Sequence, residues 1–169
     1  MELAECKAAI LETAAIDRDW LHDHRWCAIP VAGSLVSMSP FVDAIVAAGT
    51  HFGVRHLNYF EIELATPGYQ VTECAVLALR SFLNAVRFGD AIIADGCKFI
   101  VLCPPREFFI IAGQMDVVER ILQRPAIEAF EEFRVFAADP ANNFYDSPGF
   151  RYYPFVYDYY KATFDVLSK

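Results

Sequence analysis

Apolar and polar residues follow two different periods along the chain, and prolines mark where one period gives way to the other. Apolar residues three and four positions apart indicate a helix, whereas strict alternation indicates a strand with one buried face. Helical spacing predicts helices over residues 3–15, 39–49, 72–87, 114–124, 125–138 and 154–167. The second has the clearest boundaries, because Ser39 can cap it, Pro40 suits its first position and Gly49 can end it.

Alternation is clearest over residues 54–64, "VRHLNYFEIEL", which we predict to form a strand. His56 lies on one face of this strand, and Tyr59, Glu61 and Glu63 lie on the other. Because the second face carries two carboxylates and a tyrosine hydroxyl, we expect it to meet water or a partner.

Three further strands are expected between residues 90 and 112. Asp95-Gly96 is a preferred pair for a tight primed turn, so residues 90–103 predict a hairpin. Two prolines then reverse the chain into the third strand. Residues 97–103 and 108–112 are apolar at nearly every position, which predicts that both faces of the sheet are covered.

The order of the predicted elements is helices, one strand, a helix, a three-strand meander and more helices. This order is typical of an α+β fold. No repeat, low-complexity tract or linker-like shift in composition divides the 169 residues. We therefore predict a single domain, residues 1–169, with a mostly antiparallel sheet of about four to six strands covered by about five or six helices.

Aromatic residues near the end of the chain form two groups, which Pro154 separates. The second group has helical spacing and is expected to dock on the core. Its apolar residues form two neighbouring seams, Phe155, Tyr159, Ala162 and Val166 on one and Val156, Tyr160, Thr163 and Leu167 on the other. Residues 144–153 show no helical stripe, so Phe150, Tyr152 and Tyr153 are the aromatic residues left for a partner.

Composition describes an acidic, apolar-rich chain: 56% of the residues are hydrophobic, 21% are charged, and the net charge is −8. Such a charge repels nucleic acid and anionic lipid and speeds encounters with a basic partner. No apolar run reaches the roughly 18 residues of a membrane span. We expect binding of neither nucleic acid nor membrane. The acidic residues of "MELAECK" are unlike a secretory signal, and we predict a cytoplasmic protein.

Five cysteines are an odd number, and none of them forms a C-x-x-C pair; they are Cys6, Cys27, Cys74, Cys97 and Cys103. This pattern favours neither a disulfide framework nor a zinc site. We interpret all five as small buried side chains in a reducing compartment.

Few residues have a spacing that could support catalysis or metal binding. His22, Asp23 and His24 lie in a polar run that we interpret as a loop, so no metal or other cofactor is predicted. Glu61 and Glu63 would lie roughly 6.5–7 Å apart on a strand, within the range of paired catalytic carboxylates. With His56 they could form a hydrolase or transferase site. The sequence has no nucleotide-binding or nucleophile-elbow motif, so an enzyme is the alternative hypothesis.

Carboxylates near tyrosines favour protein binding, since tyrosine buries area at little cost in entropy and carboxylates orient a basic partner. The candidate partner-binding residues are Tyr59, Glu61, Glu63, Glu128, Glu131, Glu132, Phe150, Tyr152 and Tyr153. Our main hypothesis is an immunity or inhibitor protein that blocks the active site of a basic bacterial toxin or nuclease. In that complex the carboxylates would stand where phosphates bind. A further alternative is a structural subunit that forms a homodimer through the aromatic segment.

Overall fold

The protein is represented by a computed structural model, which describes residues 2–11, 15–33, 39–61, 72–79, 90–104, 107–142 and 151–167. The helices of these ranges are α1 (Leu3–Ala8), α2 (Arg18–Asp23), α3 (Ser39–His51), α4 (Met115–Leu122), α5 (Ala126–Ala138) and α6 (Tyr152–Leu167). The strands are β1 (Ile10–Leu11), β2 (Ala15–Ile16), β3 (Cys27–Ala32), β4 (His56–Glu61), β5 (Thr72–Ala75), β6 (Asp90–Ala94), β7 (Phe99–Cys103) and β8 (Phe108–Gly113).

The strands form two antiparallel sheets. β1 pairs with β2, and the other strands form a six-stranded sheet in the order β3-β8-β7-β6-β4-β5. The meander predicted between residues 90 and 112 is present as β6, β7 and β8. The α+β class and the antiparallel sheet are therefore confirmed.

Helices cover both faces of the central strands, and every residue of β7 and β8 is buried. The Phe108 ring lies 5.6 Å from the Phe133 ring of α5, whereas Phe109 meets Phe41 of α3 at 5.3 Å. Because successive strand residues point to opposite faces, α5 and α3 lie on opposite sides of the sheet. This arrangement confirms the prediction made from the apolar runs.

Strand β3 was not expected from the sequence. Its first five residues are buried, and Pro30 stands in its middle. Proline cannot donate to a strand ladder, so it is tolerated where one side of the strand lacks a strand neighbour. β3 meets this condition, because among the described strands it lies at the edge of the sheet beside β8, and it packs against α5 and α6.

The helix predicted over residues 3–15 is wrong beyond Ala8, because the chain then turns into the β1–β2 hairpin. The loop predicted around His22 is also wrong, since α2 occupies Arg18–Asp23. Asp17 caps α2 by accepting a hydrogen bond from the Trp20 amide at 2.9 Å. An aspartate before a short helical run is a signal that the sequence did carry.

The helix predicted over residues 72–87 is wrong at its start, and of the rest the structure describes only the helical residues Val76 to Leu79. Thr72–Ala75 is strand β5, with Ala75 opposite His56 of β4, and a short 3₁₀ turn follows at Val76–Ala78. Residues 80–89 lie outside the described residues. Pairing with a neighbouring strand outweighs the helical spacing of this segment.

The turn between β6 and β7 differs in detail from the predicted one. Positive φ angles occur at Gly96 (64°) and Cys97 (50°). A primed Asp95-Gly96 pair needs positive φ at both of its own residues, so the observed turn is shifted by one residue.

Three predicted helices, now α3, α4 and α5, are present with ends within two residues of the predicted ones. α6 begins at Tyr152, two residues before Pro154. Val156, Tyr160 and Thr163 of one predicted seam are buried, but Phe155 of the other is 52% exposed. The helix packs against α5, β3 and α2, and Tyr159 of the second seam is partly buried against the core. The side chains of Val166 and Leu167 lie outside the described part.

Cysteine pairing corrects a further expectation. Cys6 of α1 and Cys97 of the β6–β7 turn form a disulfide across 91 positions of sequence. Cys27 and Cys103 are not part of a disulfide, and both are buried, as expected. Sequence spacing carries no information on a pair so far apart, and so the disulfide was missed.

Candidate partner-binding surface

One side of helix α5 is buried, and the opposite side carries charged residues. Its buried residues are Ala126, Ala129, Phe130, Phe133 and Ala137. Glu128, Glu131 and Glu132 are all exposed, which agrees with their predicted orientation. The amide of Ala126 donates to Glu119 Oε1 at 3.0 Å, so α4 helps to fix the start of α5.

Two apolar side chains lie among these carboxylates. Ile127 is 44% exposed and Val135 is 63% exposed. Residues four apart neighbour each other on a helix, so Ile127, Glu131 and Val135 form one outward stripe. We call Ile127, Glu128, Glu131, Glu132 and Val135 the acidic face of α5. An apolar centre with a charged rim resembles the arrangement of a protein interface.

The glutamates of the acidic face differ in their internal partners. Glu131 accepts a hydrogen bond from Arg134 Nε at 2.7 Å, which raises the pKa of Arg134, and Glu132 pairs with Arg124. Glu128 takes part in no ion pair within the described part of the chain. Exposed pairs contribute about 0–1 kcal/mol, so a partner's cation can displace these arginines at little cost.

Tyr157 extends the acidic face onto α6, and the sequence reasoning missed this role. Its ring lies 6.0 Å from that of Phe130. Partial burial raises its pKa, and the nearby carboxylate of Glu131 adds to the effect. Only the packing of α6 beside α5 brings the tyrosine to this surface, and no local pattern indicates that packing.

The strand face predicted to bind a partner does not have the expected exposure. Tyr59 is 8% exposed and Leu57 only 1%, whereas His56 on the opposite face is exposed. Tyr59 lies opposite the buried Ile92 of β6, so its prediction as a solvent-facing residue is wrong. The Glu61 side chain and all of Glu63 lie outside the described residues.

The two sets of predicted partner-binding residues, one on β4 and one on α5, also lie at different places across the sheet. α5 packs against β3, and β4 lies four strands away from β3. At about 4.8 Å per strand, this separation is roughly 19 Å. The structure therefore does not bring the β4 residues together with the acidic face.

The aromatic segment before Pro154 is only partly available. Tyr153 is 5% exposed, and its ring lies 5.0 Å from Phe136 and 6.4 Å from Phe133. Its prediction as an accessible residue is wrong, because α6 begins early enough to turn it into the core. Tyr152 is half-buried. Phe150 lies outside the described residues.

Tyr152 borders an apolar cavity of about 270 Å³. The lining residues are Leu11, Ala15, Phe108, Ile110, Tyr152, Phe155, Val156, Tyr159 and Tyr160. The hydroxyl of Tyr160 accepts a hydrogen bond from the Ile16 amide at 3.0 Å, and that of Tyr159 donates to the Ile16 carbonyl at 3.2 Å. Because both hydroxyls serve internal bonds, the cavity suits an apolar group rather than a polar one.

A second cleft, of about 560 Å³, adjoins the acidic face at Ile127. Its other lining residues are Arg25, Cys27, Met115, Glu119, Phe164 and Asp165. Burial raises the pKa of Cys27 to about 12, so the thiol stays protonated at neutral pH. This agrees with the interpretation of Cys27 as a small buried side chain. The cleft offers an apolar floor with charged groups beside it.

The histidines have different surroundings in the described ranges. The His24 ring stacks on Trp20 at 4.1 Å, and its Nδ1 lies 2.8 Å from the Trp20 carbonyl oxygen. No group of three or more His, Cys, Asp and Glu side chains in those ranges could hold a metal ion. His56 is exposed and does not line the concavity formed by its neighbours Arg55 and Ala75. The enzyme hypothesis therefore remains an untested prediction.

No helix in the described part of the chain is both long and apolar enough to cross a bilayer. Comparisons of the chain with protein-family models, curated proteins and solved structures find no match. The functional argument therefore depends on the surfaces themselves.

Proposed function

We propose that this protein is a small acidic inhibitor of the immunity type, which neutralises a basic bacterial toxin or nuclease by covering its active site. The supporting observation is the acidic face of α5. There Ile127 and Val135 stand exposed between three glutamates on a helix whose other side is fixed in the core. The net charge of −8 favours the approach of a basic partner.

Each part of the acidic face has a separate task in this proposal. Ile127 and Val135 supply apolar area that loses water on binding, which gives most of the affinity. Glu128, Glu131 and Glu132 orient the partner by meeting the cations that otherwise bind substrate phosphates. A partner can displace Arg134 from Glu131 and Arg124 from Glu132 at little cost in free energy, because both ion pairs are exposed.

The proposal includes a cytoplasmic location, where such a toxin meets its target. The Cys6–Cys97 disulfide is the feature that argues against this location, because persistent disulfides are rare in a reducing cytosol. The acidic face does not involve either cysteine, so the two features can be tested separately.

The test is capture and inhibition with the tagged full-length chain. Bait protein is incubated with extract of its source cells and with the product of a neighbouring gene, and a captured protein is assayed for toxin or nuclease activity. We expect a basic protein whose activity falls as this chain is added. Binding should weaken as salt is raised, because the acidic field is screened.

Matched variants locate the contact. Ile127→Arg with Val135→Arg should abolish capture, whereas Leu77→Arg should leave it intact, because Leu77 is 81% exposed beyond strand β5. Circular dichroism verifies that both variants fold. Capture that survives the double substitution, or a captured protein whose activity is unchanged, would contradict the proposal.

A further inference from the structure

We propose that the cleft beside Ile127 receives a lysine side chain of the basic partner, with the aliphatic stem on the apolar floor and the ammonium group at Glu119. Ile127 belongs both to this cleft and to the acidic face of α5, so a partner on that face reaches the cleft as well. The inference rests on the proposed function for the source of the lysine. The cleft volume of about 560 Å³ lies within the range of about 300–1,000 Å³ that is typical of ligand sites.

The apolar part of the cleft is built from several elements that pack on one another. Met115 comes from α4, Ile127 from α5 and Phe164 from α6. The Phe164 ring lies 4.9 Å from that of Phe130, and the sulfur of Cys27 lies 3.8 Å from Met115 Sδ. A methylene stem can therefore lose water against a surface that the core already holds in place.

Glu119 is the carboxylate best placed to receive the ammonium group. It is half-buried, and its Oε1 accepts a hydrogen bond from the Ala126 amide at 3.0 Å, which fixes its position. Glu119 joins no ion pair among the described residues, whereas Asp165 in the same cleft is paired with Lys161. Met115 and Glu119 lie four residues apart on one face of α4, so a stem that crosses Met115 leads to Glu119.

The charges around the cleft favour a cation over an anion. Burial raises the pKa of Cys27 to about 12, and the carboxylates of Glu119 and Asp116 add to this effect, which indicates that they make the potential at the floor more negative. Arg25 also lines the cleft and opposes them. Arg25 is exposed, however, so water screens its charge more strongly than that of the half-buried Glu119.

One oxygen of Glu119 is already engaged, which favours lysine over arginine. A guanidinium group binds a carboxylate best through two parallel hydrogen bonds, one to each oxygen. An ammonium group is a compact charge on a flexible four-carbon stem, and one oxygen is enough to receive it. The cleft therefore matches the shape and the charge of a lysine side chain.

The test titrates n-hexylammonium into the full-length protein and follows the NMR signals of the Met115 and Ile127 methyl groups. Hexanol and hexanoate are the matched neutral and anionic probes. Hexylammonium should bind on the order of ten-fold more tightly than hexanol, because it adds a hydrogen bond to a charged group, and hexanoate should bind most weakly. Equal affinities for hexylammonium and hexanol would overturn the proposal, as would tighter binding of hexylguanidinium.

Three variants separate the charges around the cleft. Glu119→Gln keeps an acceptor oxygen and should weaken hexylammonium binding on the order of ten-fold, with hexanol binding unchanged as proof that the cleft is intact. Arg25→Gln should strengthen hexylammonium binding by about two-fold. Glu107→Gln is the control, because Glu107 precedes the end of β8 that pairs with Ala32, whereas the cleft lies at Cys27. Unaltered hexylammonium affinity in Glu119→Gln, or a weaker one in Arg25→Gln, contradicts the proposal.

The captured partner tests the source of the lysine. Glu119→Gln should weaken its binding on the order of ten-fold, and Glu107→Gln should leave it unchanged. Full affinity of the partner for Glu119→Gln would overturn the assignment of the cleft to a partner lysine, while inhibition through the acidic face could still hold. Hexylammonium binding that depends on Glu119, with no partner captured, would support the cleft and contradict the proposed function.

Discussion

Two regions of this molecule are held in place by different physical means. Strands β6, β7 and β8 are surrounded by apolar side chains on both faces, so many small contacts share their stabilisation. Fewer side chains are buried in the described N-terminal residues, 2–11 and 15–24, and single bonds add to their attachment: the Cys6–Cys97 disulfide and the bonds of Ile16 to α6. The stability of the sheet depends on buried apolar area, so it should fall when a buried side chain is shortened. The attachment of the N-terminal region should weaken when a single bond is removed.

The largest effect is expected from lost volume at the sheet. Phe108→Ala removes a 2% exposed ring that contacts Phe133 and Tyr153, and it should lower the free energy of unfolding by about 3–5 kcal/mol. Phe155→Ala removes the same side chain from a half-exposed position and should cost less than about 1 kcal/mol. Urea denaturation measures both, and similar losses would show that burial does not govern the sheet's stability.

A somewhat smaller loss is expected when the disulfide is removed. Cys6→Ser with Cys97→Ser should lower the free energy of unfolding by about 2–4 kcal/mol, because the bond restrains an unfolded chain over 91 positions. Reduced wild-type protein is the matched reference and should unfold at the same denaturant concentration as the variant. Equal denaturation midpoints for the oxidised and reduced proteins would show that the disulfide does not stabilise the fold.

The attachment at Ile16 should be worth less than the disulfide. Tyr160→Phe deletes the acceptor of the Ile16 amide and leaves a buried donor without that partner, at a cost of about 1–3 kcal/mol. Tyr159→Phe, which deletes a partly buried bond to the Ile16 carbonyl, should cost less. Thermal unfolding measures both, and the reverse order would show that the carbonyl bond is the stronger attachment.

High pH should lower the free energy of unfolding, because buried acidic groups ionise more readily in the unfolded chain. The pKa of Cys27 rises from 9.0 to about 12 on burial, so its contribution to stability is complete below pH 9 and is lost as pH rises towards 12. The buried Tyr160, whose pKa is also raised, acts in the same direction above pH 10. Cys27→Ala should flatten the decline between pH 9 and 10, and an unaltered slope would assign the decline to other groups.

The smallest effect is expected at the Glu5–His24 contact. Glu5→Ala should change the free energy of unfolding by less than about 0.5 kcal/mol, because the pair is exposed and screened. Glu2→Ala on the same helix is the control, since Glu2 makes no side-chain capping bond. A loss above about 1 kcal/mol for Glu5→Ala alone would make this pair a further point attachment.

Sequence patterns predicted those elements whose burial is decided locally. α5 is an example, because Phe130 and Phe133 lie on one stripe and the glutamates on another, so the helix has a single way to face the core. The β6–β8 meander was predictable for the same reason, since its apolar runs leave no polar side. The exposed position of Glu128, Glu131 and Glu132 followed directly from the α5 pattern.

The face of β4 could not be predicted in the same way. Both of its faces carry apolar residues, and the choice between them depends on the strand beside it. Tyr59 lies opposite Ile92 and is buried, whereas His56 lies opposite Ala75 and is exposed. The rule that polar residues mark the solvent side therefore misplaced Tyr59.

The sequence by itself determined an acidic α+β chain, its central meander, and the inner and outer sides of α5. Periodicity carries this information because side-chain direction within one element follows from backbone geometry alone. The tertiary structure decided that Tyr153 is buried, that Tyr157 joins the acidic face of α5, and that Cys6 meets Cys97. Each of these depends on two elements far apart in sequence, whose relative placement is set by packing of the whole core rather than by any local pattern.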